Sequence, residues 1–302
     1  MNDFINFLKT ESIEFEENVD GKRLCSFHVG GNVRAVAKPK TADQICSLYD
    51  YLFENEIKNV LLGRGSNVVI SDEGFDGVVV SLSELSSVNI DISDDNCIVA
   101  GAGASMLKLA NFAQQNGLEG LEFAHGIPGS VGGGVYMNAG AYGGEICQVL
   151  KSCLVFDQID GMIFLIDASE CEFSYRHSIF MENQNLIVLF ATFELKKGNP
   201  NEIKAKMDEY KAKRMASQPL EYPSAGSTFK RPEGYFAGKL IEDAGLKGFS
   251  IGGAQVSEKH AGFVVNKGGA TADDIKNLVA YIQKTVKEKF DVSLECEIEF
   301  VE

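Results

Sequence analysis

The sequence predicts an α+β fold. Three observations carry that prediction. Strand and helix patterns mix along the chain without the strict alternation that marks a parallel doubly wound sheet. The stretch from Gly117 to Gly144 is dense in glycine. The dipeptide Asn199-Pro200 reads as a helix cap followed by proline at the first helical position. It divides the chain into a longer N-terminal domain, 1–198, and a C-terminal α+β domain, 199–302.

Phe4, Ile5, Phe7 and Leu8 have the spacing of a short amphipathic helix. Val33 to Ala37 reads as a strand. Thr41 is a good N-cap, and Gln44 three residues later completes a capping box, so a helix is expected to about Asn55. Asn59 to Leu62 returns as a strand and ends in Gly63-Arg64-Gly65-Ser66-Asn67. Short strands are expected at 77–82, 88–92 and 97–100. Ser105 caps a helix that closes at Gly117, a C′ glycine. Strands resume at 151–156, 162–166 and 186–195. Beyond Pro200 a helix is expected to about Arg214, then a polar loop with Pro219, Pro223, Gly226 and Pro232. A helix over 236–244, strands near Gln255 and over 262–265, a Thr271-capped helix to Phe290 and a final strand over 292–300 complete the chain.

Composition bounds the function. The chain has 302 residues, 45% hydrophobic and 24% charged, as a folded protein with a sizeable core does. Its formal net charge of −15 argues against nucleic acid or an anionic membrane as a general partner. No apolar run reaches the roughly 18 residues of a spanning helix, and Met1 to Leu8 has no targeting pattern, so a cytoplasmic protein is expected. The seven cysteines are scattered and never in C-x-x-C spacing, which reads as reduced core thiols, with no metal site.

Nucleotide fingerprints are the next question. Gly63-Arg64-Gly65 and Gly101-Ala102-Gly103 each lack the third glycine of G-x-G-x-x-G, and no P-loop is present. No G-x-S-x-G or H-E-x-x-H exists either. What is present is a different cradle. Gly63, Arg64, Gly65, Ser66 and Asn67 form a tight turn after a strand, where successive amides can converge on an anion. A second cluster holds Gly126, Pro128, Gly129, Ser130, Gly132 and Gly133, and continues into Asn138, Ala139 and Gly140. Glycine at this density weakens folding, and close backbone approach to a large ligand offsets that cost.

At these residues the chain resembles the family of UDP-N-acetylenolpyruvoylglucosamine reductases. The resemblance runs from Phe27-His28-Val29-Gly30-Gly31 through both glycine clusters to Ser174-Tyr175-Arg176-His177-Ser178. It continues in Gly226-Ser227-Thr228-Phe229-Lys230-Arg231-Pro232 and Gly252-Gly253-Ala254, and closes in Leu294-Glu295-Cys296-Glu297. It implies a two-lobed FAD-binding domain of the PCMH type, with lobes at about 1–82 and 83–198, followed by a substrate-binding domain. It also implies non-covalent FAD on the two glycine clusters and NADPH as hydride donor. The substrate it implies is an enolpyruvyl nucleotide sugar, reduced to UDP-N-acetylmuramate in peptidoglycan precursor synthesis by a protein more monomeric than obligately oligomeric.

The same resemblance assigns roles. Ser227 becomes the proton donor, with Lys230 three residues on. On turn preferences alone it is an ordinary loop serine. Arg176 faces the substrate carboxylate, since a guanidinium matches planar developing charge. Glu297 is singled out from Glu295 and Glu299, which share its alternation with Leu294, Cys296, Ile298 and Phe300. Beside a developing dianion its carboxyl is expected to be protonated, or countered by Arg176. Tyr175, Arg214, Lys230, Arg231 and His260 are candidate substrate contacts, with Tyr142 a further aromatic neighbour.

Two departures stand out. The connection between Arg176 and Leu186 is too short for the tyrosine-bearing loop of the longer family members, so the resemblance is to the short class. Ser26 stands where many members have threonine. The main alternative is an alcohol-oxidising relative with tethered flavin, for which His125 is the one candidate tether.

Overall fold

Helix ends follow their capping side chains in the computed structural model, which describes all 302 residues. Ser105 Oγ accepts from the Lys108 amide at 3.0 Å and opens the helix Met106–Gln115. Gly117, at φ 65°, closes it in the left-handed conformation expected of a C′ glycine. Thr271 and Asp274 form a full capping box on Ala272–Phe290. That helix receives a second carboxylate: Asp72 accepts from the amides of Ala272 and Asp273, each at 2.9 Å.

The capping box expected at Thr41 is only half formed. Thr41 Oγ1 accepts from Gln44 N, but the Gln44 side chain turns elsewhere. Its oxygen accepts from the Lys40 amide at 2.7 Å and its nitrogen donates to the carbonyls of Glu11 and Ser12. The helix Ala42–Glu54 is thereby fastened to the end of the first helix, Asn2–Thr10.

Three further differences from the sequence reading have physical causes. The helix Pro200–Ser217 runs three residues beyond Arg214, because nothing in Met215-Ala216-Ser217 breaks it before Pro219. The last strand is only Glu299–Val301, paired in parallel with Val68–Ile70. Leu294 and Ile298 are buried as expected, but residues 293–298 pair with another strand-like segment only at an isolated Phe229–Cys296 bridge. Finally, the second glycine cluster contains a helix, Val131–Tyr136. Ser130 Oγ caps it by accepting from Gly133 N, and its side-chain-free faces lie against Ala102 and Met106.

The sheets confirm an α+β fold. A five-stranded antiparallel sheet runs in the order Ile163–Asp167, Leu150–Asp157, Leu186–Glu194, Cys97–Gly101, Val88–Ile90. A four-stranded sheet has the order Glu14–Asp20, Asn32–Lys38, Phe75–Val80, Asn59–Leu61. Its first strand was not evident in the sequence, since Glu14, Glu16 and Glu17 mask any apolar alternation. Ser250–Ile251, Ala254–Val256 and Val264–Asn266 form a three-stranded meander.

Contacts group the chain into two compact units. One comprises Met1–Glu16, Val36–Arg64 and Val78–Lys213, and the other Glu17–Ala35, Gly65–Gly77 and Arg214–Glu302. The grouping is not sequence-contiguous, whereas the sequence reading divides the chain once, at 198/199. The core of the first unit includes Leu48, Leu52, Ile98, Met106, Phe156, Phe180 and Phe193, all essentially inaccessible. That of the second includes Phe27, Val256, Ile275, Leu278 and Ile282.

Candidate active site

The two glycine clusters supply backbone donors. The amides of Gly63, Arg64, Gly65, Ser66 and Asn67 make no hydrogen bond to the rest of the protein. The same holds for the amides of Gly129 and Ser130, whereas Val131 and Gly132 donate to Ala104 and Ala102. Gly63 and Arg64 are exposed, but Gly65, Ser66, Asn67, Gly129 and Ser130 are buried or half-buried, where backbone donors are normally paired, so each run offers donors to an acceptor. In the first unit the clusters touch: a Cβ added at Gly63 would lie 2.5 Å from Ser130 Oγ. In the second unit Gly65, at φ 62°, lies so close to Leu24 that a Cβ would meet its carbonyl at 1.8 Å. The turn can therefore be made only by glycine there. Open amides, side-chain-free approach and a capping serine are what a diphosphate-bearing cofactor needs. The residues present fit FAD.

Within the first unit, Arg176 is held with care. Ser174 and His177 exchange both backbone hydrogen bonds, each 3.2 Å, around the two-residue turn Tyr175-Arg176. Arg176 sits at φ 54°, a strained conformation for a long side chain. Its Nη2 donates to the Gly140 carbonyl at 3.0 Å, and its guanidinium lies 5.0 Å over the Tyr175 ring. Asn138, placed by the sequence among cofactor contacts, is fully buried and its amide is engaged with the protein. Ala139 is buried beside it. Tyr142 stacks on Tyr210 with centroids 4.7 Å apart.

His125 remains half-buried near the second cluster, its Nδ1 without a partner. Desolvation and then Lys204 and Lys211 hold its pKa below the usual histidine value. The one set of side chains with metal-ligand proximity in the protein, Asp94, Cys97 and Glu194, holds the Lys151 ammonium, 3.6 Å from Glu194 and 3.9 Å from Asp94.

In the second unit the structure gathers Ser227, Glu297 and Asn67. Ser227 is exposed, just after Gly226 at φ 76°. Its neighbour Thr228 is buried and donates its amide to Gly262 O, while Thr228 Oγ1 accepts from Val264 N. Thr228 O accepts from the Glu297 amide at 2.9 Å. Asn67 completes the arrangement: its Nδ2 donates to Glu297 O at 2.8 Å and its carbonyl accepts from Glu299 N. Ser26, in place of the expected threonine, ties two loops together. Its amide donates to Gly65 O and its hydroxyl to Ser224 O at 2.6 Å.

The remaining cationic candidates divide. Lys230 is bound to Glu295 at 2.6 Å, a pairing the alternation Glu295, Glu297, Glu299 could have disclosed. Arg231 lies 4.6 Å over the Phe236 ring, and Arg214 is half-buried near the end of its helix. His260 accepts from the Gly262 amide through Nδ1, and burial lowers its pKa, so it stands as a neutral imidazole with its proton on Nε2. Of the four groups expected to form a basic patch, Lys230 is thus ion-paired and His260 neutral.

Comparison with known proteins gives the family. Residues 33–166 match the FAD binding domain model, and residues 218–301 match the model of the UDP-N-acetylenolpyruvoylglucosamine reductase C-terminal domain. A UDP-N-acetylenolpyruvoylglucosamine reductase of Clostridium novyi is 49% identical over 97% of this chain and 95% of the relative. One from Caldanaerobacter subterraneus is 51% identical over 93% of this chain and 91% of the relative. The crystal structure of UDP-N-acetylenolpyruvylglucosamine reductase (MurB) from Thermus caldophilus matches with a TM-score of 0.81 and 33% identity, covering 96% of this chain and all of that one. The chain belongs to the UDP-N-acetylenolpyruvoylglucosamine reductase family.

Proposed function

We propose that this chain reduces the enolpyruvyl group of UDP-N-acetyl-3-O-(1-carboxyvinyl)-glucosamine to UDP-N-acetylmuramate, with Arg176, Ser227 and Glu297 as its catalytic residues. The glycine clusters would hold FAD, which would supply two-electron chemistry between NADPH and the terminal vinyl carbon. The open amides of Gly63 to Asn67 and of Gly129 and Ser130 hold the cofactor's diphosphate. Asn138 is not among these donors, since its side-chain amide is already bonded within the protein.

Addition across the double bond requires a proton on the carbon next to the carboxylate. Ser227 Oγ is the donor, and its proton passes to that carbon as negative charge spreads into the carboxylate. A serine hydroxyl is a weak acid, so it serves only against a strongly basic carbanion and at fixed distance. Gly226 and the bonds of Thr228 fix that distance. Arg176 donates to the carboxylate oxygens and stabilises the enolate-like dianion. Glu297, with its backbone held on both sides, orients the substrate carboxylate from a protonated carboxyl. Tyr175, Arg214, Arg231 and Lys230 line the nucleotide-sugar path, and His260 donates from Nε2 as a neutral group. The substrate is a cytoplasmic nucleotide, and the chain works there as a monomer.

The observation that carries this reading is the backbone pairing that sets Ser227-Thr228 against Glu297, with Asn67 on the same carbonyl. Ser227→Ala tests it. Reduction by NADPH should proceed at the normal rate, and product formation should fall by at least about 100-fold. Near-normal turnover in Ser227→Ala contradicts the assignment.

A further inference from the structure

We propose that Asn138 is the positioning residue of Arg176, a role that rests on the reading of Arg176 given above. Asn138 is 0% exposed, and both its side-chain donors and its side-chain oxygen are engaged. Nδ2 donates to Ser174 O at 2.9 Å and to Glu145 Oε2 at 3.2 Å, and Oδ1 accepts from Cys147 N at 3.0 Å. Its backbone is held at φ 44°, in the left-handed region that asparagine tolerates better than most residues.

The carbonyl it engages is the first residue of the arginine turn. Ser174 and His177 close the turn that places Arg176 at φ 54°. Two residues beyond Asn138, Gly140 O receives the Arg176 guanidinium. The segment 138–140 therefore grips the arginine at both ends, through the turn carbonyl and through the side-chain tip. A single shift of Asn138 moves both anchors together.

The chemistry of the amide is specific. Ser174 O takes a second donor beside the His177 amide and Cys147 N needs an acceptor, and one side chain of this length supplies both. Aspartate keeps the acceptor, but its second oxygen faces Ser174 O and the Glu145 carboxylate without a proton. An apolar residue strips the half-buried Cys147 amide of its acceptor and leaves Ser174 O with the His177 amide alone. A left-handed arginine is costly to hold, so loss of this bond releases the turn toward ordinary backbone and swings the guanidinium away.

The test uses the holoenzyme and stopped-flow measurement of its two half-reactions. Asn138→Asp keeps volume and tolerance of the left-handed region, and Asn138→Gly serves if the aspartate variant does not fold. Flavin content reports folding. At mildly alkaline pH, transfer to the enolpyruvyl substrate should slow by roughly 10- to 100-fold, as expected for a misplaced catalytic group. Reduction by NADPH should be spared, and amide exchange of the 172–178 segment should accelerate. In an Arg176→Lys background the Asn138 change should add little further loss, because both act through one guanidinium. Wild-type transfer in Asn138→Asp, equal slowing of both half-reactions, or full additivity with Arg176→Lys overturns the proposal. Normal transfer in Arg176→Lys alone contradicts the role of the arginine itself, and the proposal falls with it.

Discussion

Glu297 is the residue where proton chemistry should be most visible. Of its neighbours in the alternation, Glu295 is held by Lys230, and Glu299 donates its amide to Asn67 O. Glu297 alone is half-buried, with its amide on Thr228 O and its carbonyl on Asn67 Nδ2. A carboxyl that must be protonated to meet a carboxylate imposes a limb on the pH dependence of kcat/KM. Glu297→Gln should retain measurable activity and lose that limb, and an unchanged pH–rate profile contradicts the role. Cys296, next in line, is a counterexample to reactivity. Burial pushes its thiol up to about 11, and Sγ donates to Ile298 O at 3.3 Å. Alkylation of native protein at mildly alkaline pH should modify Cys296 on the order of 100-fold more slowly than a free thiol. Labelling at the free-thiol rate would show that the segment opens.

At the scale of elements, the helix Ala272–Phe290 shows what a cap from a distant loop contributes. Its own Thr271-Asp274 box was legible, because both residues stand at the required spacing. Asp72 was not, since it lies 200 residues away in sequence from the amide it caps. Asp72→Ala should lower stability by about 1–2 kcal/mol, measured by urea unfolding, through loss of a cap and of negative charge at a helix N-terminus. An unchanged midpoint contradicts that share. The same contrast runs through the rest of the fold. Ser105 and Gly117 are local signals, and the helix between them was readable. The half-formed box at Thr41 was not, because Gln44 found partners in Glu11 and Ser12. The strand expected over 292–300 had the right faces but lacked a continuous partner strand, and no local pattern reveals that. Gly132-Gly133-Gly134 in a helix defied propensity, which tertiary packing on Ala102 and Met106 overrode.

The whole molecule carries a net charge of −15 yet handles anionic substrates. In the proposed site, backbone amides and a few arginines would resolve that tension, because open donors attract phosphate without altering net charge. Motifs spread over the chain, from Phe27 to Glu297, made the family readable from sequence, and the matches over 33–166 and 218–301 agree with it. What sequence could not provide was the hydrogen-bond geometry around each proposed catalytic side chain. Asn67 under Glu297 and Asn138 under Arg176 are set by contacts across 230 and 36 residues respectively. The central claim concerns the reaction, and one anaerobic measurement tests it most directly. The purified flavoprotein is reduced with NADPH, the enolpyruvyl nucleotide sugar is added, and the flavin absorbance is followed together with the product. Rapid return of the oxidised spectrum with stoichiometric UDP-N-acetylmuramate is the predicted result. A flavin that stays reduced in the presence of that substrate would contradict the account.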